Sequence, residues 1–220
     1  MATNRYSFKL LQILPLVFAL FIDNLSFGSV YPLITAIFQS DPALFFDGSV
    51  ASRSVDFYLG LAFLLFPLGM FFGASILGDV SDRLGRKRTL IICMLGIAIG
   101  FLVMAIGSVL GSLILFLIGR FITGLMAGAQ PIAQASIIDI SDEKSKAVNM
   151  SFITFAVILG VVFGPTLGGF FADRHLFHDF GFYLPFLVIG GLAVLAAIWI
   201  SVSFKDSQKE VEKRAQISIW

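Results

Sequence analysis

Six stretches of the chain, about Leu10 to Phe38, Phe57 to Leu77, Thr89 to Val109, Ser112 to Ile138, Ala147 to Phe171 and Phe182 to Phe204, are each apolar for long enough to cross a bilayer. Backbone polar groups find no water inside hydrocarbon, so a crossing segment must be a helix or belong to a closed barrel. These runs are too long and too uniformly apolar for barrel strands, whose two faces alternate. The expected fold is therefore an all-α membrane protein, a bundle of six transmembrane helices. With 58% hydrophobic and 13% charged residues among 220, and a mean hydropathy of +0.95, the chain carries more apolar surface than a soluble domain of this length can bury. A soluble enzyme is excluded on that ground. The first stretch follows Arg5 and Lys9 but is too long for a signal peptide, holds Asp23 in its middle and lacks a clear small-residue cleavage site. It reads as a retained helix.

The positions of the positive charges say more than the net charge of +1. Twelve of the fifteen Lys and Arg fall on one side: Arg5 and Lys9, then Arg83, Arg86, Lys87 and Arg88, then Lys144 and Lys146, then Lys205, Lys209, Lys213 and Arg214. Arg53 and Arg174 fall on the other side and Arg120 lies within a span. The positive-inside rule then places both termini in the cytoplasm. Nothing supports nucleic-acid binding. Cys93 is the single cysteine and sits in an apolar run, so neither a disulfide framework nor a thiolate metal site is available. The outside loop Gln39 to Asp56, with Asp41, Asp47, Gly48 and several serines, suits a solvated connection. His175 and His178, with Asp173 and Asp179, have a ligand-like spacing in a short outside loop, and no metal site is assigned to them.

Ionisable groups at membrane depth cost at least roughly 2.5 kcal/mol on insertion scales, and each requires a partner or a wet cavity. Asp23, near the middle of span one and followed by Asn24 and Ser26, is a group that can load and release a proton. Arg120, about eight residues from the outer end of span four, keeps its charge. A pair between Asp23 and Arg120 would be tunable by substrate. Gln130, Gln134 and Asn149 either line the same cavity or bond across helices. Glycines four residues apart, such as Gly69 with Gly73, Gly124 with Gly128, and the ladder Gly160, Gly164, Gly168, let helix backbones approach closely. The short connection Gly78-Asp-Val-Ser-Asp-Arg-Leu-Gly-Arg-Lys-Arg88 is a hinge or latch candidate, in which Gly85 permits the turn and Arg86 can reach Asp139.

The stretch Gly73 to Arg88, with Gly78, Asp82, Arg83, Gly85, Arg86 and Lys87 in place, resembles the loop signature of the major facilitator superfamily. Arg120, Gly124 and Gly128, spaced R-x-x-x-G-x-x-x-G, look like the second signature of that superfamily, whose arginine is implicated in proton coupling. Span five, Gly160-Val-Val-Phe-Gly164-Pro165-Thr-Leu-Gly168-Gly169, resembles the antiporter signature of its drug/proton exchangers. Span one, with Asp23 nine residues before Pro32, is similar to the first helix of multidrug and tetracycline exporters. The resemblance implies a secondary transporter that needs no cofactor beyond the proton as coupling ion, in which Asp82, Arg86 and an acid equivalent to Asp139 lock the outward-facing state. It also implies a multi-pass location in a bacterial inner (plasma) membrane.

Transporters of this type have two similar halves with the substrate cavity between them. Residues 1–204 match the N-terminal half, and 205–220 look like the start of a charged central linker. The leading expectation is proton-coupled efflux of small amphipathic or drug-like compounds, with lipid, a small-molecule substrate and a second transporter half as partners. That half is either absent from this chain or supplied by oligomerisation. The alternatives are a metabolite symporter of the same superfamily and a truncated membrane interaction protein that does not transport.

Overall fold

The computed structural model describes residues 2–40, 42–46, 52–141, 143–172 and 182–204. Among them all regular structure is helical: α1 (Ala2–Ser40), α2 (Ser52–Leu84), α3 (Arg86–Val109), α4 (Leu113–Met126), α5 (Ala129–Ile140), α6 (Glu143–Ala172) and α7 (Tyr183–Ser203), with one 3-10 turn at Pro42–Leu44. Six crossings are long and apolar enough to span a membrane, α4 and α5 together forming the fourth. The expected six-helix bundle is therefore found. The segment 205–220 and the loop histidines lie outside the described residues.

Two differences from the sequence reading shape the bundle. First, α2 does not stop near Leu77 but runs on to Leu84, and Gly85 alone separates it from α3. Hydropathy marks where a helix leaves the lipid, and the polar turns beyond that point stay helical. Gly85 has φ 92 and ψ 154, a left-handed value that favours glycine, and this residue makes the whole reversal. Second, span four is interrupted. α4 ends at Ala127, whose N–H closes a tight bond to Gly124 O at 3.0 Å, and α5 restarts after Gly128. Pro131 falls in the first turn of α5, where its missing N–H leaves no helical bond unmade.

The first three spans interlock with the last three, and the pattern of their contacts repeats as an approximate two-fold. α1 packs on α6 as α4 packs on α2, α3 on α4 as α7 on α1, and α3 meets α7 across the centre. The correspondence holds residue by residue. A Cβ on Gly69 would lie 2.6 Å from Phe121 O and 2.8 Å from Leu125 N; one on Gly164 would lie 2.7 Å from Leu25 O and 2.8 Å from Ser29 N. Gly73 meets the Leu125 backbone as Gly168 meets that of Ser29, and Gly124 meets Phe66 as Gly28 meets Val161. In this register Arg120 answers Asn24, and the break at Ala127 and Gly128 answers Tyr31 and Pro32. The core at one end of the bundle is aromatic, with Phe116 6.3 Å from Phe38 and 5.7 Å from Phe186. The corresponding helices α2 and α6 are the least buried, at 22% and 28% of their apolar windows. Both present apolar surface away from the bundle.

Candidate functional site

Asp23 sits half-buried in the middle of the span formed by α1. Its neighbours bond to α1 itself: Asn24 Nδ2 donates to Leu20 O at 2.9 Å, Ser26 Oγ to Asp23 O at 2.6 Å, and Ser29 Oγ to Ser26 O at 3.0 Å. No described residue gives the Asp23 carboxyl a hydrogen bond or an ion pair.

Arg120 of α4 is 1% exposed. Its Nε donates to Ala62 O on α2 at 3.1 Å, and its guanidinium carbon lies 4.8 Å from the centre of the Phe66 ring. The two contacts explain how a cation is held at this depth: a carbonyl accepts one N–H and a ring face takes the charge. The expected Asp23–Arg120 pair is not formed, because the guanidinium is directed across to α2. An aromatic row that the sequence reading missed continues from Phe66. Phe27 lies 5.3 Å from Phe66 and 5.2 Å from Tyr31, and Tyr31 stacks on Phe63 at 5.2 Å and 17°. The i, i+4 spacing of Phe27 with Tyr31 and the i, i+3 spacing of Phe63 with Phe66 are the signals that point to it.

Gln130 and Gln134 are half-buried on α5, beyond the break. Asn149, by contrast, bonds across elements: its Nδ2 donates to Ser141 Oγ at 2.7 Å and ties α6 to the end of α5.

At the Gly85 turn, Arg86 reaches Asp139 at 3.0 Å, as its place in the sequence suggested. Its other terminal nitrogen is buried without a partner. Lys87 Nζ donates to Ser201 O at 2.7 Å, capping the last turn of α7. Asp82 and Arg83 are exposed, and Asp82 meets no hydrogen-bonding or charged partner among the described residues. In this conformation Asp82 lies on the open side of the helical extension of α2. Gly78 is also in the open, where a Cβ would meet nothing within 4 Å. Along α6, Gly160, Gly164 and Gly168 all press on α1, whereas Gly169 faces open space and Pro165 is exposed beside Gly28.

A family model described as Major Facilitator Superfamily matches residues 13–218. The chain belongs to this superfamily. It is 28% identical to the class C tetracycline resistance protein of Escherichia coli over 88% of this chain and 46% of that protein. It is 30% identical to the quinolone resistance protein NorA of Staphylococcus aureus over 90% of this chain and 46% of that protein. The chain thus spans less than half the length of these two relatives. Among solved structures it resembles the partially occluded, inward-open xylose transporter XylE from E. coli, with a TM-score of 0.71, 19% identity, and coverage of 92% of this chain and 52% of that one. At that identity the likeness shows the superfamily fold. The superfamily accounts for the six-span bundle and for the order of the four sequence signatures along it.

Proposed function

We propose that this chain forms half of a proton-coupled exporter of small amphipathic compounds, with Asp23 as the group that exchanges a proton for substrate. The reading rests above all on Asp23: a carboxyl at mid-span, with no partner among the described residues. A structural carboxyl at that depth would be bonded to a neighbouring helix, since an unmet charge there is costly. An exchanging one must be left free to change its charge and its ligand. The two resistance relatives support export as the direction.

In this account the α1–α6 seam is the moving joint. The glycines of α6 give it a smooth contact with α1, and Pro165 bends it by removing a backbone donor. The Arg86–Asp139 pair ties the start of α3 to the end of α5 in one state, and its breakage accompanies the change to the other. Gln130 and Gln134 line the path beyond the break, and Arg120 biases the local field. The second half completes the cavity. The location is a bacterial inner membrane, with the Gly85 turn and both termini on the cytoplasmic side, as the charge bias of the loops supports.

The test is proton-dependent ethidium efflux from everted membrane vesicles. Asp23→Asn should abolish it and Asp23→Glu should retain part of it. Unchanged efflux in Asp23→Asn contradicts the proposal.

A further inference from the structure

Arg86 and Lys87 are neighbours on the first turn of α3 and reach different helices. Arg86 meets Asp139 near the end of α5 at 3.0 Å, and Lys87 Nζ donates to Ser201 O near the end of α7 at 2.7 Å. The two receiving helices are anchored differently. α7 runs antiparallel beside α3, with Ser201 by Lys87 at one end and Gly190 against Phe101 further along, and its C-cap residue Phe204 is fully buried. α5 lies beyond the break at Ala127–Gly128, and the Asp139 side chain is 24% exposed. Lys87 therefore bonds to the better-anchored helix and Arg86 to the one that follows an interruption.

The turn that carries both side chains is poorly made for holding them in place. It follows a one-residue reversal at Gly85, which offers no side-chain cap, and it opens with Arg86, Lys87 and Arg88 and no acid. Cations there face the positive end of the helix dipole, and the first N–H groups have no partner within the helix. Thr89, one residue beyond the three cations, closes on Gly85 O with its N–H and its hydroxyl. Arg86 engages Asp139 through Nη2 and leaves Nη1 buried without a partner. A guanidinium that offers one terminal nitrogen lacks the self-alignment of a two-nitrogen fork, so its direction depends on where the backbone of the turn stands. The Ser201 carbonyl, at the negative end of the α7 dipole, is an acceptor suited to a cation on that turn. We propose that Lys87 is a positioning residue of the latch: bonded to the end of α7, it holds the first turn of α3 where Arg86 meets Asp139, and its removal opens that pair from a distance. This deepens the transport reading and rests on it only for the consequence that an open latch alters interconversion.

The experiment is a distance measurement between spin labels on Ile138→Cys of α5 and Val202→Cys of α7, both exposed positions, in lipid nanodiscs with Cys93→Ala as background. Lys87→Met should raise the ratio of separated to close label pairs about fivefold, and Asp139→Asn should do the same. Lys87→Arg, which can still donate to Ser201 O, should restore the native distribution. Combined with Asp139→Asn, Lys87→Met should add nothing further, because no pair is left to position. A distribution indifferent to Lys87→Met would overturn the proposal. So would a shift of equal size with and without Asp139, which is what a lysine that merely stabilises the fold gives. The readout is separate from transport: a Lys87 shift that needs Asp139, beside efflux indifferent to Asp23→Asn, removes the transport reading alone, and Asp23-dependent efflux without that shift removes the positioning role alone.

Discussion

The α1–α6 and α2–α4 seams are built on one plan and filled differently. In both, two glycines four residues apart on the outer helix press on the backbone of the inner one, and one glycine of the inner helix presses back. They diverge one turn away. The α2–α4 seam holds Arg120, reaching across to Ala62 O, where the α1–α6 seam holds Asn24, bonded within its own helix. At that level α6 has a third glycine, Gly160, against Asn24 Cβ, and α2 has Leu65. One seam is cross-linked by a buried cation and the other is smooth. Close backbone contact is common to the two seams; the groups beside it are what differ.

The largest effect should come from filling the shared contact. Gly164→Val and Gly69→Val each drive a side chain into backbone that cannot move aside, and each should lower stability in detergent by about 3 kcal/mol, measured by thermal unfolding. A large loss at one site with none at the other would break the equivalence of the seams. Breaking the Arg86–Asp139 pair should have a smaller effect. Because both groups are partly exposed, a double-mutant cycle with Arg86→Gln and Asp139→Asn should give a coupling of about 1 kcal/mol or less. Gly168 and Gly169 sharpen the contrast within a single helix turn. Gly168→Ala puts its Cβ 2.5 Å from Ser29 O and should destabilise by about 1 kcal/mol, while Gly169→Ala meets nothing and should stabilise by about 0.5 kcal/mol. The smallest effect on stability is expected at Arg120. Arg120→Met replaces a buried cation with an apolar chain of similar length and should shift unfolding by less than about 1 kcal/mol. A loss of about 3 to 5 kcal/mol in that variant would mean that Arg120 is structural glue between α4 and α2.

Hydropathy alone located all six crossings, because length and apolarity are what lipid selects. It did not locate the ends of α2, since residues 78–84 carry charges that look like loop and fold as helix. Nor did it mark the break at Ala127–Gly128, where glycine and a first-turn proline together permit an interruption that an apolar window averages away. Of the site, the contact between Arg86 and Asp139 was legible from charge and position. The separation of Asp23 from Arg120 was not, because depth in the membrane says nothing about which neighbour a side chain faces. Phe27, Tyr31, Phe63 and Phe66 were hidden among 25 phenylalanines and 4 tyrosines whose spacing suits packing as well as binding. Only the helix pairing shows that these four rings form one row and that Phe66 meets Arg120.

The central claim is that Asp23 takes up and releases a proton. Infrared difference spectroscopy of the protein in lipid, taken between acid and alkaline buffer, reads carboxyl protonation without a substrate. A protonated-carboxyl band that titrates in the native protein and is missing from Asp23→Asn is the predicted result. A difference spectrum in which Asp23→Asn matches the native protein band for band would contradict the account.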